Sequence, residues 1–408
     1  MNVLSSSDHV VVVGAGLAGW RLVEGLRREG FDGEISLVGD EPHLPYDRPP
    51  LTKQVLSGKW TSDRTALVDD DGLVTARVRG HFGVAASDLD VSTTTVHLTN
   101  GTAIEGTHVV LATGVRARRL AYSADERIHT LRSRDDVDRL DGELARVVPG
   151  STVAVIGGGF IGAEVATSLK LRGYRPVVLE AAARPLAGVL GDEVSTWLER
   201  LAGEAGIELR TRQSIIDVRV VDDGLMIDFN DASVLRASVV IEGVGALPNV
   251  EWLATSGLTI DNGVVVNEHL IATDRVAAIG DVARFEWASP TGVDLVRIEH
   301  WQIASDHATT LARYWMGVDG PSVKIVPYFW SDQYGRKIQV LGHPAPGDEV
   351  HRVRGGDAES KWLALYSQGG VVTGAVALNS PRALMMSKGL LDVRTSLGDA
   401  MARAPWSC

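Results

Sequence analysis

The sequence predicts an α/β fold in which two Rossmann-like nucleotide-binding units are combined with a C-terminal α+β domain. A buried strand, a G-x-G-x-x-G turn and a helix follow one another near the start of the chain, and the same order recurs from residue 152. Alternating strand patterns after residue 327 predict the C-terminal domain. Because the glycine pattern occurs twice in the same context, it indicates two nucleotide sites.

The first unit begins with a run of β-branched residues, Val10 to Val13, which is typical of a parallel strand buried on both faces. Gly14 then permits a tight turn, Gly16 lets the backbone approach a pyrophosphate, and Gly19 permits close packing of helix on strand. A lone pattern of this kind can also be a glycine-rich turn without a ligand. Its place between a strand and a helix favours the nucleotide site.

The residues after this turn complete the unit. The spacing of apolar residues predicts a helix over 17–28, closed by Gly30, and a second strand over 34–38. This strand leads to Asp40, whose carboxylate can accept hydrogen bonds from a ribose.

A proline-rich stretch over residues 41–53 predicts a stiff, extended connection with no helix. It contains Arg48 and Lys53, which follow the ribose-binding acid and can reach a cofactor lying along the sheet edge. The alternative is that both are solvated charges on a loop.

Alternation predicts strands over 74–84 and 91–98, and Asn100-Gly101 predicts a hairpin turn between residues 96–98 and 102–104. Residues 108–114, HVVLATG, predict a buried strand ending on glycine. The chain then leaves the first unit through a predicted basic turn that contains Arg116, Arg118 and Arg119.

The second unit repeats the same order of elements. A strand over 153–156 leads into three glycines at the same spacing: Gly157, Gly159 and Gly162. A helix is predicted over 161–171 and a second strand over 175–179.

The acid that closes this second unit, Glu180, suits a ribose 2′-hydroxyl and repels a 2′-phosphate, which predicts a preference for NADH over NADPH. The nearby Arg184 leaves this preference open. An arginine there can hold a 2′-phosphate, or it can cap the adenine or a neighbouring phosphate.

Near residue 276 the segment VAAIGD ends in Gly280 and Asp281, which places a carboxylate at a strand end beside backbone N–H donors. The other predicted elements are short strands over 208–240, a buried strand over 239–245, a helix over 297–316, a strand pair within YFWSDQYGRKIQVLG and a last helix over 381–391.

Composition excludes several classes of function. A net charge of −12 argues against nonspecific binding to nucleic acid or to an anionic membrane, because both need a basic surface. No apolar run reaches the roughly 18 residues that cross a bilayer, and the polar opening MNVLSSSDH does not resemble a signal peptide. The single cysteine, Cys408, excludes an internal dithiol relay and is consistent with a cytoplasmic protein.

Eight segments together are specific to one family: GAGLAG, LVGDEPHLPYDRPPLTK, VLATG, VIGGGFIGAE, GVGALPN, AAIGDVA, RIEHW and FWSDQYGRKIQVLG. Through them essentially the whole chain resembles the FAD-containing, NADH-dependent ferredoxin reductases that serve bacterial oxygenases. These are the reductases of the putidaredoxin reductase and biphenyl dioxygenase reductase type, within the glutathione-reductase-like flavoproteins. The chain departs from the family pattern at Tyr328, where tryptophan is usual, although the residue remains aromatic.

The resemblance implies a discontinuous FAD-binding domain of residues 1–115 and 246–325, an inserted NADH-binding domain of residues 116–245, and a C-terminal domain of residues 326–408. The last would complete the flavin pocket and the partner surface. The implied FAD-binding residues are Gly14, Ala15, Gly16, Gly19, Asp40, Arg48, Lys53, Val84, Ala112, Thr113, Gly114, Arg132, Gly280, Asp281 and Trp301. The implied NADH-binding residues are Gly157, Gly159, Ile161, Gly162, Glu180, Arg184 and Gly243.

Lys53 and Glu164 resemble the catalytic ion pair that the family places beside flavin N5. There the ammonium would stabilise the reduced flavin and the glutamate would fix the position of the lysine. The alternative is an inter-domain salt bridge without a redox role. His307, in the helix predicted over 297–316, is interpreted as an ordinary helix histidine, because hydride transfer from NADH requires no protein general base.

The implied reaction passes electrons from NADH through FAD to a 2Fe-2S ferredoxin. That ferredoxin would supply a haem mono-oxygenase or a ring-hydroxylating dioxygenase. One alternative is a redox-responsive NADH-binding flavoprotein of the apoptosis-inducing-factor type. Another is a disulfide or peroxide reductase, which needs a redox cysteine near the flavin. We expect a monomer or weak dimer, and the sequence leaves open which ferredoxin and oxygenase are served.

Overall fold

The computed structural model describes residues 3–121, 125–222, 224–289, 292–318, 325–356 and 361–407. Cys408, the single cysteine of the chain, lies outside these residues. The chain divides into two compact units. The first unit is formed by residues 1–47, 66–116 and 247–329, and the second by residues 48–65, 117–246 and 330–408.

The main sheet of the first unit is built around a valine-rich strand, His9–Val13, in which Val10 to Val13 are buried. Branched apolar side chains on both faces suit a strand that is covered on both sides. Across the sheet the strands are Ile271–Thr273, Val276–Ala278, His108–Leu111, His9–Val13, Glu34–Gly39 and Val78–Phe82. They pair in parallel except for the outermost, Ile271–Thr273, which is antiparallel to its neighbour.

The helices Leu17–Arg28 and Trp301–Trp315 pack against each other in this unit. Gly25 permits the close approach, because a methyl group added there would lie 3.0 Å from the Cβ of Ala312. The unit also contains the helix Asp70–Thr75 and two smaller sheets. One sheet consists of Ala86–Asp90, Thr95–Leu98 and Ala103–Glu105, and the other of Val264–Val266, Ala283–Ser289 and Gly292–Val296. Two short strands, Val115–Ala117 and Ala246–Pro248, pair with each other.

The second unit contains a parallel sheet built around another buried strand, Thr152–Ile156. Across this sheet the strands are Glu208–Arg210, Arg175–Leu179, Thr152–Ile156, Val239–Glu242 and Ile128–Thr130. The helices of this region are Arg134–Leu144, Phe160–Leu171 and Ala187–Glu204. An antiparallel sheet of Ile215–Val221, Gly224–Phe229 and Val234–Ala237 accompanies them.

The C-terminal part of the chain forms a mixed α and β layer. In order across its sheet, the strands are Tyr328–Gln333, Arg336–Gly342, Val371–Leu378, Trp362–Gln368 and Glu349–Arg354. The helices Pro381–Met386, Gly389–Asp392 and Leu397–Arg403 follow. Short turns of 3-10 helix are at Ser62–Thr65, Glu251–Leu253, Gly280–Val282 and Pro405–Ser407. None of the helices in the described ranges has both the length and the apolar character needed to cross a bilayer.

The predicted α/β fold class is confirmed, but several element boundaries were wrong. The predicted strand over 74–84 begins as the helix Asp70–Thr75, because the Asp69 side chain caps that helix by accepting a hydrogen bond of 2.8 Å from the Gly72 N–H. The predicted last helix over 381–391 is divided into Pro381–Met386 and Gly389–Asp392.

The proline-rich stretch was predicted to be extended, but it ends in a π-helical turn over Leu51–Val55. Pro50 stands at the N-terminal end of this turn, where the missing N–H of proline costs no helical hydrogen bond. The carbonyl of Pro50 accepts from the Val55 N–H at 3.0 Å, and that of Leu51 accepts from the Leu56 N–H at 3.1 Å. This turn determines where Lys53 lies.

Candidate functional site

The first glycine-rich turn lies at the carboxyl end of the central strand of the first unit. Gly14 has a φ of +121°, and a methyl group added there would lie 2.1 Å from the carbonyl oxygen of Ala112. At Gly19 a methyl group would lie 2.0 Å from the carbonyl oxygen of Gly14. Both positions therefore exclude larger side chains on packing grounds alone.

Gly16 differs from these two glycines. Among the described residues, no atom lies within 4 Å of a methyl group placed at Gly16, and no side chain caps the helix Leu17–Arg28. The first N–H groups of the helix thus border an open space that an added Cβ would partly fill. A phosphate group suits this position, because helix N-terminal N–H groups bind anions.

The second glycine-rich turn repeats this geometry. Gly157 has a φ of +105°, and a methyl group added there would lie 2.3 Å from the carbonyl oxygen of Gly243. At Gly162 the methyl would lie 2.0 Å from the Gly157 carbonyl oxygen, whereas at Gly159 the described chain offers no atom within 4 Å. Both turns are also fixed alike: Gly14 N–H donates to the Val38 carbonyl and Gly157 N–H to the Leu179 carbonyl, each at 2.8 Å. Both turns therefore fit a dinucleotide.

Several predicted FAD-binding residues lie around the first turn. Asp40 is exposed directly after the strand Glu34–Gly39, and the Val84 N–H donates to the Gly39 carbonyl at 3.1 Å. The segment Ala112, Thr113 and Gly114 follows the neighbouring strand. Its Thr113 exchanges two hydrogen bonds of 2.9 Å with Asn249, which fixes this strand end.

A second group of predicted FAD-binding residues lies at Gly280 and Asp281. A methyl group added at Gly280 would lie 2.9 Å from the Cβ of Ala18, so this loop lies beside the helix that follows the first turn. The N–H of Gly280 donates to Nδ1 of His307 at 3.2 Å, and Arg297 donates to the Asp281 carbonyl at 3.1 Å. The structure therefore places both loops at the carboxyl edge of one parallel sheet, where nucleotides bind in such folds.

His307 is fully buried, and this burial lowers its pKa to about 3. Its Nδ1 accepts from Gly280, and within the described residues its Nε2 has no hydrogen-bond partner. The ring is therefore neutral at physiological pH and serves the loop as a hydrogen-bond acceptor. Trp301, another predicted FAD-binding residue, is oriented by Asp47, whose Oδ1 accepts from the indole N–H at 2.7 Å.

The remaining predicted FAD-binding residues, Arg48, Lys53 and Arg132, lie in the second unit. Arg48 donates to the carbonyl of Arg132 at 2.7 Å, and the Arg132 N–H donates to Asp136 at 2.9 Å. These contacts bring Arg48 and Arg132 together at the start of the helix Arg134–Leu144.

The acid of the second turn, Glu180, is held by the backbone. Its Oε2 accepts from the Gly158 N–H at 2.8 Å and its Oε1 from the Ala182 N–H at 2.7 Å. Ile161, one of the first residues of the helix Phe160–Leu171, is 46% exposed, which leaves an apolar side chain beside the turn.

Arg184 faces two acids. Its Nη1 lies 3.2 Å from Asp192 Oδ1 and its Nε 3.9 Å from Glu199 Oε2. Gly243 follows the strand Val239–Glu242 and donates to the Ile156 carbonyl at 2.7 Å. The preceding Glu242 is buried, and this burial raises the pKa of its carboxyl group.

Lys53 and Glu164 form an ion pair of 3.0 Å between Nζ and Oε1, and their side chains are 13% and 4% exposed. Thr52 Oγ1 donates to Glu164 Oε2 at 2.6 Å. Ser331 Oγ and the Asp332 N–H donate to Oε1 at 2.7 Å and 3.1 Å. Thr52 and Ser331 were not predicted as site residues from the sequence, although both lie inside the motifs that carry the family resemblance.

Trp330 lies near two ammonium groups. The Nζ atoms of Lys53 and Lys337 are each 5.9 Å from the centre of its ring, and Lys337 also pairs with Asp332 at 2.9 Å. The side chain of Trp330 is thus a neighbour of the Lys53–Glu164 pair.

Comparison with known families gives two matches. The pyridine nucleotide-disulphide oxidoreductase family matches residues 8–308, and the reductase C-terminal family matches residues 328–406.

Known relatives are similar over nearly the whole chain. Rhodocoxin reductase from Rhodococcus erythropolis is 34% identical over 94% of this chain and 89% of its own length. Putidaredoxin reductase from Pseudomonas putida is 33% identical over 96% of this chain and 93% of its own length. A crystal structure of the covalent putidaredoxin reductase–putidaredoxin complex superposes with a TM-score of 0.91 at 30% identity, covering 99% of this chain and 100% of the compared chain.

Proposed function

This chain belongs to the pyridine nucleotide-disulphide oxidoreductase family, and from this premise we propose that it is an FAD-dependent NADH:ferredoxin reductase. It takes electrons from NADH and delivers them, through FAD, to a 2Fe-2S ferredoxin. The ferredoxin in turn supplies an oxygenase. The relatives named for rhodocoxin and putidaredoxin support this assignment.

The observation that carries the proposal is the equivalence of the two glycine-rich turns. In each turn, a methyl group added at the first or third glycine would lie only 2.0 to 2.3 Å from a backbone oxygen, so only glycine fits there. The second glycine borders an open space within the described chain. A protein that transfers hydride between two dinucleotides needs two such binding turns. We assign FAD to the first turn and NADH to the second.

The FAD-binding residues then have defined roles. The N–H groups near Gly16 hold the pyrophosphate, Asp40 accepts from the ribose, and the Gly280–Asp281 loop binds the ribityl chain or pyrophosphate. When bound, FAD would supply the chemistry that links a two-electron hydride donor, NADH, to a one-electron carrier. The protein supplies orientation and electrostatics.

At the second turn, Glu180 selects NADH. Its carboxylate is fixed by the backbone N–H groups of Gly158 and Ala182, so it stands in one place to accept from a ribose 2′-hydroxyl. A 2′-phosphate would meet this negative charge. Arg184 already faces Asp192 and Glu199, which reduces its attraction for a 2′-phosphate.

Lys53 provides positive charge beside the flavin ring, and Glu164 fixes its side chain. The burial of both side chains supports this role, because a buried charge acts more strongly than a solvated one. Ile161, exposed at the turn, provides an apolar contact for the nicotinamide.

The domain assignment is part of the same proposal, although residues 48–65 belong to the compact unit that also contains residues 117–246 and 330–408. Residues 1–115 and 246–325 form the FAD-binding domain, residues 116–245 the NADH-binding domain, and residues 326–408 a C-terminal domain that faces the ferredoxin. Basic residues outnumber acidic ones over residues 326–408, which favours an acidic partner. We place the protein in the cytoplasm.

Turnover assays test the proposal. The purified protein should contain FAD, and its yellow colour should bleach when NADH is added anaerobically. NADH should support ferricyanide reduction directly, whereas cytochrome c should be reduced only after a 2Fe-2S ferredoxin is added. A flavin that stays oxidised with NADH, or equal cytochrome c reduction without ferredoxin, would contradict the assignment.

A further inference from the structure

The carboxylate of Glu164 accepts hydrogen bonds from hydroxyl groups on both of its oxygens. Thr52 Oγ1 is 2.6 Å from Oε2, and Ser331 Oγ is 2.7 Å from Oε1. Oε1 also accepts from Lys53 Nζ at 3.0 Å. Each of these partners donates hydrogen, which matches an ionised carboxylate, because such a group only accepts.

Thr52 and Ser331 reach Glu164 from distant parts of the sequence, 112 and 167 positions away. Thr52 lies in the π-helical turn Leu51–Val55, and Ser331 lies in the strand Tyr328–Gln333. Glu164 itself lies in the helix Phe160–Leu171. The two hydroxyl groups therefore fix the carboxylate against two separate elements.

The backbone of Thr52 is fixed as well. Ser168 Oγ, on the same helix as Glu164, donates to the Thr52 carbonyl at 2.6 Å. The next residue in the turn is Lys53, so the hydrogen bonds of Thr52 restrain the point from which the Lys53 side chain extends.

Burial makes these hydrogen bonds important. Glu164 is 4% exposed, and in the described chain Thr52 is the hydrogen-bond donor to its Oε2. If a buried carboxylate loses a donor, one of its oxygens has neither water nor a protein group to hydrogen-bond with, which costs free energy. The carboxylate would then rotate towards another donor, and Lys53 Nζ, which is paired with it, would move too.

We propose that Thr52 and Ser331 are positioning residues that hold Glu164 and, through it, keep the Lys53 ammonium group in the place where it acts on the flavin. This inference rests on the proposed role of the Lys53–Glu164 pair. The two hydroxyl groups thereby tune both the reduction potential of the flavin and its rate of reduction by NADH.

The test uses the FAD-loaded full chain and two measurements. The rate of flavin reduction by NADH is followed anaerobically by stopped flow, and the midpoint potential is measured against a reference dye. Thr52→Val and Ser331→Ala each remove one donor. We expect each to slow flavin reduction about fivefold, the effect of one hydrogen bond, and to lower the midpoint potential.

Two control variants distinguish loss of the hydroxyl group that holds Glu164 from a general effect of replacing a threonine. Thr52→Ser keeps the hydroxyl group and should stay within about twofold of the wild-type rate. Thr309→Val makes the same change at an exposed helical threonine in the first unit, whose hydroxyl donates to the Ser305 carbonyl, and should alter neither measurement. Because Thr52 and Ser331 lie on different elements, Ser331→Ala tests the proposal even if Thr52→Val folds poorly.

Combination with Lys53→Met distinguishes the failure of this inference from failure of the proposed function. If Lys53→Met leaves both rate and potential unchanged, the role assigned to the ion pair is wrong. If Lys53→Met changes both but Thr52→Val and Ser331→Ala change neither, the positioning role is wrong and the ion pair stands. An equal effect of Thr52→Val with and without Lys53 would also overturn the positioning role, because residues that act through one another are not additive.

Discussion

At the scale of single residues, the proposed role of Glu180 in selecting the nucleotide at the second glycine-rich turn can be tested directly. We expect Glu180→Ala to lower the ratio of kcat/KM for NADH to that for NADPH about tenfold, because it removes the charge that repels a 2′-phosphate while Arg184 remains nearby. Steady-state kinetics with both nucleotides measure the ratio.

Glu180→Gln is the nearest neutral variant, because its size is unchanged and its amide oxygen can accept from one of the two N–H groups, of Gly158 or Ala182, that hold the native side chain. If the charge matters, the glutamine variant should also lose discrimination. An unchanged ratio in both variants would assign specificity to other residues.

His307 makes the stability of the protein depend on pH. Its pKa is lowered from 6.5 to about 3 by complete burial, so the unfolded chain binds more protons between these two values. The contribution of the neutral His307 ring to the unfolding free energy is fully present above about pH 6.5. It is lost as the pH falls towards 3, by up to about 1.4 kcal/mol per pH unit.

We expect His307→Asn, which does not titrate and whose amide oxygen can take the place of Nδ1 as acceptor for the Gly280 N–H, to lose about 1.6 kcal/mol less unfolding free energy than wild type between about pH 6.5 and 5. Urea unfolding at the two pH values measures this difference. Parallel losses in both proteins would show that His307 does not contribute. Burial also lowers the pKa values of His108 and His129, but both proteins retain those residues.

The Lys53–Glu164 pair shows what could be predicted at the scale of residues. Its two members lie in short motifs that the sequence displays directly, and the structure brings them within 3.0 Å. Thr52 and Ser331 could not be assigned in the same way. Their hydroxyl groups are common side chains, and their shared partner is more than a hundred positions away from each.

At the scale of elements, substitutions in the second glycine-rich turn should distinguish a glycine needed for NADH binding from a glycine needed for folding. Gly159→Ala should leave the thermal unfolding temperature nearly unchanged, since within the described residues its methyl meets no atom within 4 Å, yet raise the KM for NADH at least tenfold. Calorimetry and steady-state kinetics provide the two readouts.

Gly162→Ala is the opposite case in the same turn. Its methyl would lie 2.0 Å from the Gly157 carbonyl oxygen, so the helix must shift, at a cost of about 2–4 kcal/mol in unfolding free energy. Equal stability of the two alanine variants would contradict this reading of the turn.

Elements whose sequence signals are local were predicted most closely. The helix Leu17–Arg28 and the strand Arg175–Leu179 have the predicted bounds, because glycines and acids mark their ends. The helix Asp70–Thr75 was missed because its signal is a single cap at Asp69, and because the alternation predicted as a strand over 74–84 overlaps its last two residues. The π-helical turn was missed because prolines dominate the sequence around it.

At the scale of the whole molecule, FAD should contribute to stability because it binds the folded chain. We expect removal of FAD to lower the unfolding temperature, and addition of FAD at about a thousand times its Kd to restore about 4 kcal/mol of stability. Calorimetry of the FAD-free and reloaded protein measures both effects.

The Glu180→Ala variant is the control for this experiment, because its change lies at the NADH turn and should leave the stabilisation by FAD intact. Identical unfolding temperatures with and without FAD would contradict binding of FAD to the folded state.

The fold class followed from two local patterns, whereas the arrangement of units did not. The first unit is assembled from three separate stretches of chain, and so is the second. A glycine pattern predicts the helix that begins at it, because that signal is local. No short motif predicts that residues 48–65 belong to the same unit as residues 117–246.

The hydroxyl group of Ser331 has a consequence for protein engineering. Exchange of the C-terminal region is an obvious way to redirect such a reductase towards a new ferredoxin. That region also carries a donor to Glu164 Oε1. Under the proposed domain assignment and the proposed positioning role, a chimera joined before residue 331 exchanges this donor together with the docking face, so grafts that keep a serine at this position should retain the native speed of reduction by NADH.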